Sequence, residues 1–468
     1  MNIVIVGDGT VGDTLIQYIS GEGHNVTVID KNPALINRVV NQYDVQGVAG
    51  NGASHAVQLE AGVATADLFI AVAGTDELNM VCCMIAKSLG AAYTLARVRD
   101  PEYSREKGFL RHHLGIDMVV NPEYDSAYEI TRLIRFPAAL KLDAFANGRV
   151  DMAEIYISEG HPLAGRQLFT LSSLFGVRVL VCTIRRGDEV FIPSGDFTIM
   201  EGDSISITAS HTDLSAFFGK LGLIGKPIKN VMLLGGGRIA FYLAQSLAKL
   251  KINTHIVEIR EERAKYLAEQ LPSAHIICAD CTDSEILADE GLADMDACIA
   301  LTGNDEENII VSMYADSCGV ERTITKIDRL SFIKMLPRLG VDTTVSPRQL
   351  SAATVLRYLR GLDNRKKMTQ RSSQGSSEHL SHIGLKSLYK LCDGRAEALE
   401  FDVDENFRLL GVPFSSEKFR RKPNTLIASI VRAGQVIYPH GGSTLEVGDS
   451  VIIVTTNPQL SELNDILD

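Results

Sequence analysis

Short runs of consecutive apolar residues alternate in this chain with stretches whose apolar positions recur every three or four residues. In the first hundred residues, 3–6, 26–30, 45–49, 68–72 and 94–98 read as strands, and 11–20, 33–41, 54–61 and 77–89 as amphipathic helices. Strands apolar throughout are covered on both faces, and strict strand–helix alternation builds a parallel sheet between two layers of helices. The pattern therefore predicts an α/β fold with a Rossmann-type, doubly wound domain over 1–135. From 150 to 222 the alternation gives way to β-branched stretches at 153–157, 177–181 and 204–208, split by Gly, Pro and Asp turns, which predicts a small α+β unit over 140–225.

Both patterns occur again. The first strand leads into Gly7-Asp8-Gly9-Thr10-Val11-Gly12 and its counterpart 231–234 into Gly235-Gly236-Gly237-Arg238-Ile239-Ala240. The acids that end the second strands, Asp30 and Glu258, shift with these loops by 228 positions. Ala73-Gly74 and Thr302-Gly303 follow the fourth strands and Arg97 and Lys326 end the fifth, all shifted by 229. In the small units, Pro193 with Gly202-Asp203 answers Pro439 with Gly448-Asp449 at an offset of 246, so the second half carries an insertion. The predicted order is completed by a second Rossmann-type domain over 228–358, a connector over 359–384 and a second small α+β unit over 385–468. Within the connector, the Ser-rich basic stretch 364–377 is too polar to bury a core and reads as a mobile linker whose basic cluster could meet an anionic lipid surface or a partner.

The glycine loops point to a nucleotide. In such a loop Gly7 allows the tight strand-to-helix turn, Gly9 lets a pyrophosphate reach the main chain, and Gly12 lets helix and strand pack, while free N–H groups at the helix start meet phosphate. Asp30 and Glu258 stand close to the ~20-residue spacing at which an acid meets a ribose 2′-hydroxyl. That acid repels a 2′-phosphate, favouring NAD(H) over NADP, and would accept the ribose of ATP or ADP equally well. Ala73, Gly74, Thr302 and Gly303 sit where ligands approach the carboxyl edge of such sheets, and the neighbouring Asp76 and Asp305 read as helix caps. Arg97 and Lys326 on that edge are candidate phosphate or base contacts against a salt-bridge alternative, and Arg238 has the better claim to a phosphate.

Other chemistry is sparse. No Walker lysine, G-x-S-x-G or oriented His–carboxylate pair is present; His112-His113 stands alone, and no substrate domain is evident. Cys278 and Cys281 form a lone C-x-x-C that reads as strand-end packing rather than a metal or redox site. The net charge of −12 argues against nucleic acid as a partner, and no apolar run reaches the ~20 residues of a membrane span. A cytoplasmic protein that reaches a membrane through a partner is expected, and a sensor is favoured over an NAD-dependent oxidoreductase with a duplicated cofactor domain.

The order G-D-G-T-V-G, V-I-D, A-V-A-G-T-D-E-L-N-M and A-R-V-R-D-P-E-Y, followed by a G-D-x-I-x-I strand and then repeated, resembles the tandem RCK (TrkA) family of potassium-uptake subunits over essentially the whole chain. The resemblance implies RCK N-terminal domains followed by RCK C-terminal domains, no catalysis, and a peripheral homotetrameric ring beneath a TrkH/TrkG-like subunit that conducts potassium. It implies NAD(H) contacts, with ATP or ADP as further ligands, at Gly7, Asp8, Gly9, Thr10, Val11, Asp30, Ala73, Gly74 and Arg97. In the second copy it implies Gly235, Gly236, Gly237, Arg238, Ile239, Glu258, Thr302, Gly303 and Lys326; no metal ligand is implied. The copies differ at Thr10 and Arg238, Asp30 and Glu258, and Asn51 and Asp280, so two unequal sensors are expected.

Overall fold

The structure, a computed structural model, describes the chain apart from residues 8, 105, 136–140, 146–149, 223–227, 330–331, 333–335, 337–340, 342, 373–384, 393–394, 458–459 and 461. It divides into two compact units, each drawn from both halves of the chain: Met1–Ile134 with Ile228–Leu356, and Arg135–Pro227 with Arg357–Asp468.

In the first unit, β1 (Asn2–Val6), β2 (Asn25–Asp30), β3 (Gln46–Ala49), β4 (Leu68–Ala71), β5 (Tyr93–Arg97) and β6 (Met118–Val120) form a sheet ordered β3-β2-β1-β4-β5-β6. All its pairings are parallel. In the second unit, β7 (Lys141–Phe145), β8 (Val150–Tyr156), β9 (Leu180–Arg186), β10 (Glu189–Phe191) and β11 (Ser204–Ala209) form an antiparallel sheet ordered β10-β9-β11-β8-β7. The first unit resumes with β12 (Asn230–Leu234), β13 (Asn253–Glu258), β14 (Ala274–Cys278), β15 (Ala297–Ala300), β16 (Arg322–Lys326) and β17 (Thr344–Val345), again parallel and in the equivalent order β14-β13-β12-β15-β16-β17. The second unit ends with β18 (Leu385–Leu391), β19 (Ala396–Asp402), β20 (Thr425–Arg432), β21 (Gln435–Ile437) and β22 (Ser450–Thr455), an antiparallel sheet ordered β18-β19-β22-β20-β21. The α/β class with two doubly wound parallel sheets and two small α+β units is the one the apolar pattern implied.

The apolar runs fix where the cores lie. Ile3, Val4, Ile5 and Val6 are all buried, as are Val231 to Leu234, because helices cover both faces of each parallel sheet. The helix Pro122–Arg135 contributes Ala127, Ile130 and Ile134 to a buried cluster shared with Phe241 and Tyr242 of the helix Arg238–Lys249, so the two parallel-sheet domains share one core. The small sheets likewise share a core, through Val150, Met152 and Cys182 against Ala398, Ala428 and Ile452.

The repeated Gly-Asp pairs of the small units are structural. Asp203 takes Arg186 Nε at 2.8 Å and Nη2 at 2.9 Å, and Asp449 takes Arg432 Nε and Nη2 both at 2.8 Å. Each aspartate is buried and also accepts the backbone N–H three residues before it, from Met200 and Glu446, so every oxygen facing the interior has a donor.

The connector departs from expectation. A single helix, Pro347–Ser372, runs through residues 359–372, which read as part of a mobile linker; 373–384 lie outside the described residues. Polarity forbids a core but not a helix, and Arg, Lys, Met and Gln are good helix formers. Among the described residues no helix is long and apolar enough to cross a membrane.

Candidate functional site

The strand order reverses between β1 and β4, and again between β12 and β15, and both glycine loops sit at these reversals, where doubly wound sheets open a crevice. Gly7 and Gly235 have φ of +98° and +104°, conformations that L side chains rarely adopt. A Cβ on Gly7 would lie 2.9 Å from the Ala73 backbone, one on Gly12 only 1.9 Å from Gly7 O, and one on Gly235 3.0 Å from the Leu301 backbone, so both loops are packed shut on the protein side. Toward the outside the reverse holds: a Cβ on Gly9 or Gly237 would meet nothing within 4 Å. These two residues begin the helices Thr10–Ser20 and Arg238–Lys249 and bring no side chain to the first-turn N–H groups. A main chain open at a helix start is what a phosphate requires.

The predicted residues of the second copy converge. Gly235, Gly236, Gly237, Glu258, Thr302 and Gly303 line one cleft of about 500 Å³, with Arg260 and Asp280 on its wall. Ile239 and its counterpart Val11 are buried in the first turns of their helices, and Ile239 does not line this cleft. Arg238 is exposed and does not line the cleft; its charge is felt by Arg97 and Glu123 of the first domain and by Arg263 of its own. Lys326 is held away as well, with Nζ on Thr302 O at 3.2 Å and on Asp328 Oδ2 at 2.6 Å.

In the first copy, Gly7 abuts Ala73, and Asp30 ends the strand next to β1. Arg97 donates to Ala73 O at 2.6 Å and Arg99 to Gly74 O at 2.6 Å, so the arginines hold the loop rather than extend from it. Thr10 is exposed at the helix start, and Asp8 lies outside the described residues.

The two acids are wired differently. Asp30 Oδ1 accepts Asn32 N at 2.8 Å, in the turn that follows its strand. Glu258 is buried and accepts Gly236 N at 3.0 Å, Arg260 N at 3.0 Å and Arg260 Nε at 2.9 Å. Burial alone would raise its carboxyl, but the Arg260 contacts and the Gly236 N–H outweigh it and hold the group below the usual carboxylate range. Asn51 and Asp280, by contrast, do the same local work: each takes the N–H two residues on, Ala53 at 3.0 Å and Thr282 at 2.9 Å.

Asp76 and Asp305 are not the helix caps they were expected to be. Thr75 and Asn304 cap those helices, and the buried aspartates reach across to the chain after the fifth strand. Asp76 accepts Arg99 N and Asp100 N, both at 2.8 Å; Asp305 accepts Asp328 N at 2.9 Å and Arg329 N at 2.7 Å. A preceding hydroxyl or amide is the better-placed cap, which frees the carboxylate for the neighbouring loop.

Sequence reasoning missed Asn79 and Asn308, both fully buried. Asn79 accepts Ala73 N at 2.7 Å and donates to Ala73 O at 3.3 Å and Arg97 O at 2.9 Å; Asn308 repeats this on Thr302 and Lys326. Their signal was the matched asparagine closing T-D-E-L-N and N-D-E-E-N. Glu123 was missed too; it is half-buried with Oε2 shielded from solvent, and this desolvation raises its carboxyl despite Arg99, Arg97 and Arg238 nearby. Cys281 is buried with its thiol pushed up to about 11, in keeping with packing.

Residues 3–122 and 231–347 match the TrkA-N domain, and 152–222 and 398–468 match the TrkA-C domain. The chain belongs to the TrkA family. The TrkA relatives include the Trk system potassium uptake protein TrkA homolog of Archaeoglobus fulgidus, 30% identical over 467 residues and the full length of both chains. The Trk system potassium uptake protein TrkA of Vibrio alginolyticus is 29% identical over 461 residues, covering 98% of this chain and 96% of that one. Among solved structures, this TrkA chain shares its fold with the GsuK RCK domain, with a TM-score of 0.60 and 18% identity over 98% of this chain and 93% of that one. The GsuK channel bound to NAD gives the same score and identity over 98% of this chain and 77% of that one.

Proposed function

We propose that the chain is the non-catalytic regulatory subunit of a potassium-uptake system, binding NAD(H) in its glycine cradles and gating a membrane subunit that conducts potassium. The observation that carries this is the doubled cradle: a main chain closed on the protein side at Gly7 and Gly235 and open at Gly9 and Gly237, each at a strand-order reversal with an acid at hand. Full-length similarity to Trk potassium uptake proteins supplies the physiological setting, and the fold is shared with a channel bound to NAD.

At the first site the open N–H groups of Gly9, Thr10 and Val11 would receive the phosphates, Asp30 the ribose hydroxyls, and Ala73-Gly74 would lie along the ligand with Arg97 behind them. At the second, Gly235 to Ile239 would provide the cradle, with Thr302, Gly303 and Lys326 in the equivalent places. Glu258, already bonded to Gly236, must exchange or share that bond when a ribose arrives, so the second site favours a different nucleotide balance, with ATP or ADP as the competing ligands. A TrkH/TrkG-like membrane partner, a homotetrameric ring and a cytoplasmic location complete the proposal. Only a nucleotide with unequal affinity for two arrangements of the ring can shift between them. The reading fails if potassium conduction by the reconstituted transporter is unchanged across an NADH or ATP titration that saturates binding.

A further inference from the structure

Away from the nucleotide cleft, His255 of β13, His275 of β14 and Glu290 bring one ring nitrogen each and a carboxylate oxygen within 4.8 Å of one another. The two histidines are register partners on adjacent parallel strands, their rings T-shaped at 5.0 Å, and Glu290 caps the end of the helix Ser284–Asp289. His275 Nε2 and Glu290 Oε2 stand 3.5 Å apart, close to the ~3.4 Å between ligand atoms that a tetrahedral ion with bonds of ~2.0–2.1 Å requires. His255 Nδ1 is buried and has no hydrogen-bond partner among the described residues.

The repeat provides the control. In the first copy the same register positions hold Thr27 and Gln46, and the residue after the matching helix His55–Glu60 is Ala61. Three separate positions in one copy thus carry residue types able to ligate a metal, in a fold that the other copy forms without them. Fold maintenance therefore does not account for the trio.

We propose that His255, His275 and Glu290 form a binding site for a divalent transition metal of the zinc class at the edge of the second parallel sheet. Two imidazoles and one carboxylate suit zinc and its neighbours, leaving a coordination position for water, whereas magnesium and calcium prefer oxygen ligands alone. The site is separate from the nucleotide cleft: His255 precedes Glu258 by three residues on one strand, about 10 Å at the usual rise per residue. A bound ion would tie β13, the edge strand β14 and the helix end into one piece. It does not depend on the nucleotide reading.

The test uses the metal-free full-length chain titrated with Zn²⁺ against a chromophoric chelator, beside the variant His275→Gln/Glu290→Ala, which installs the first copy's residues. The wild type should take up an equivalent of zinc that the variant binds at least about tenfold more weakly. Melting of the two metal-free proteins should coincide, and NADH affinity should be the same in both. Co²⁺ in the same equivalent should give ligand-field bands without thiolate-to-metal charge transfer, which separates these ligands from Cys278 and Cys281. Equal zinc affinity in the variant, a thiolate band, or no uptake by the wild type overturns the proposal; His255→Thr provides a second removal should the double variant melt early.

Discussion

Glu258 accepts a hydrogen bond from the backbone N–H of Gly236 at 3.0 Å, so the acid of the second cradle is bound to the loop it is meant to serve. Both groups are buried, and truncation strands the Gly236 donor. Glu258→Ala is expected to cost about 1–3 kcal/mol in urea unfolding, the usual range for a buried donor left without its partner. The pH dependence follows from the depressed carboxyl. A group more acidic folded than unfolded stabilises above its unfolded value, near 4.5, and that contribution is lost as pH falls through the lower folded value. The stability gap between wild type and Glu258→Gln should therefore be full at pH 7 and close only below about 4.5. A gap that narrows instead on going up from pH 5 to 8 contradicts the assignment.

The glycines allow folding to be separated from ligand access. Gly12→Ala drives a methyl to 1.9 Å from Gly7 O and should destabilise by about 1–3 kcal/mol, as overpacking does. Gly9 has extended backbone, φ −77° and ψ −172°, and open space beyond it, so Gly9→Ala should melt with the wild type. The same methyl stands where phosphate must approach and should weaken NADH binding at the first site by about tenfold or more in calorimetry. If Gly9→Ala binds as tightly as the wild type, the first cradle does not hold the pyrophosphate.

Asn79 and Asn308 each clamp the loop after the fourth strand to the end of the fifth with three hydrogen bonds. Alanine at either position takes away the side-chain acceptor of a part-buried N–H, that of Ala73 or Thr302, and should cost about 1–3 kcal/mol. Because each clamp fixes one loop, Asn79→Ala should weaken nucleotide binding at the first site and Asn308→Ala at the second. Equal loss at both sites from either variant would show that the clamps act through general instability.

What could be read from the residues was whatever rests on continuous apolar runs. Ile3 to Val6 and Val231 to Leu234 are buried on both faces, so their composition alone announced central parallel strands, and the glycine loops followed from position. Short edge strands such as β6 and β17 carry too few residues to stand out. The polar roles at the sheet edge were the least legible: Asp76 looks like a cap because it starts a helix, yet its partners, Arg99 and Asp100, lie 23 and 24 residues on. Arg97, Lys326 and Arg238 were candidates for phosphate by charge, but charge does not say which way a side chain turns. Two of them turn onto loop carbonyls, and the third is exposed outside the cleft.

Tyr242 connects the two sites. Its hydroxyl donates to Arg99 O at 2.8 Å and receives Asn121 Nδ2 at 3.1 Å, while Arg99 holds Gly74 O and Asp76 of the first site. Tyr242 stands on the helix that begins at the second cradle, so a shift of that helix meets the first site's loop through one buried hydroxyl. Tyr242→Phe keeps the ring packed against Tyr124 and Phe241 and removes the hydroxyl's bonds to Arg99 O and Asn121 Nδ2, at a cost of about 1–3 kcal/mol. If the hydroxyl carries the linkage, each site of the variant should bind nucleotide with nearly wild-type affinity when the other is empty. The factor by which filling one site changes the affinity of the other should fall toward unity, and by reciprocity it must do so measured from either side. An unchanged factor in Tyr242→Phe would place the coupling elsewhere in the shared core, for which Ile130 and Ile134 against Phe241 are the next contacts to alter.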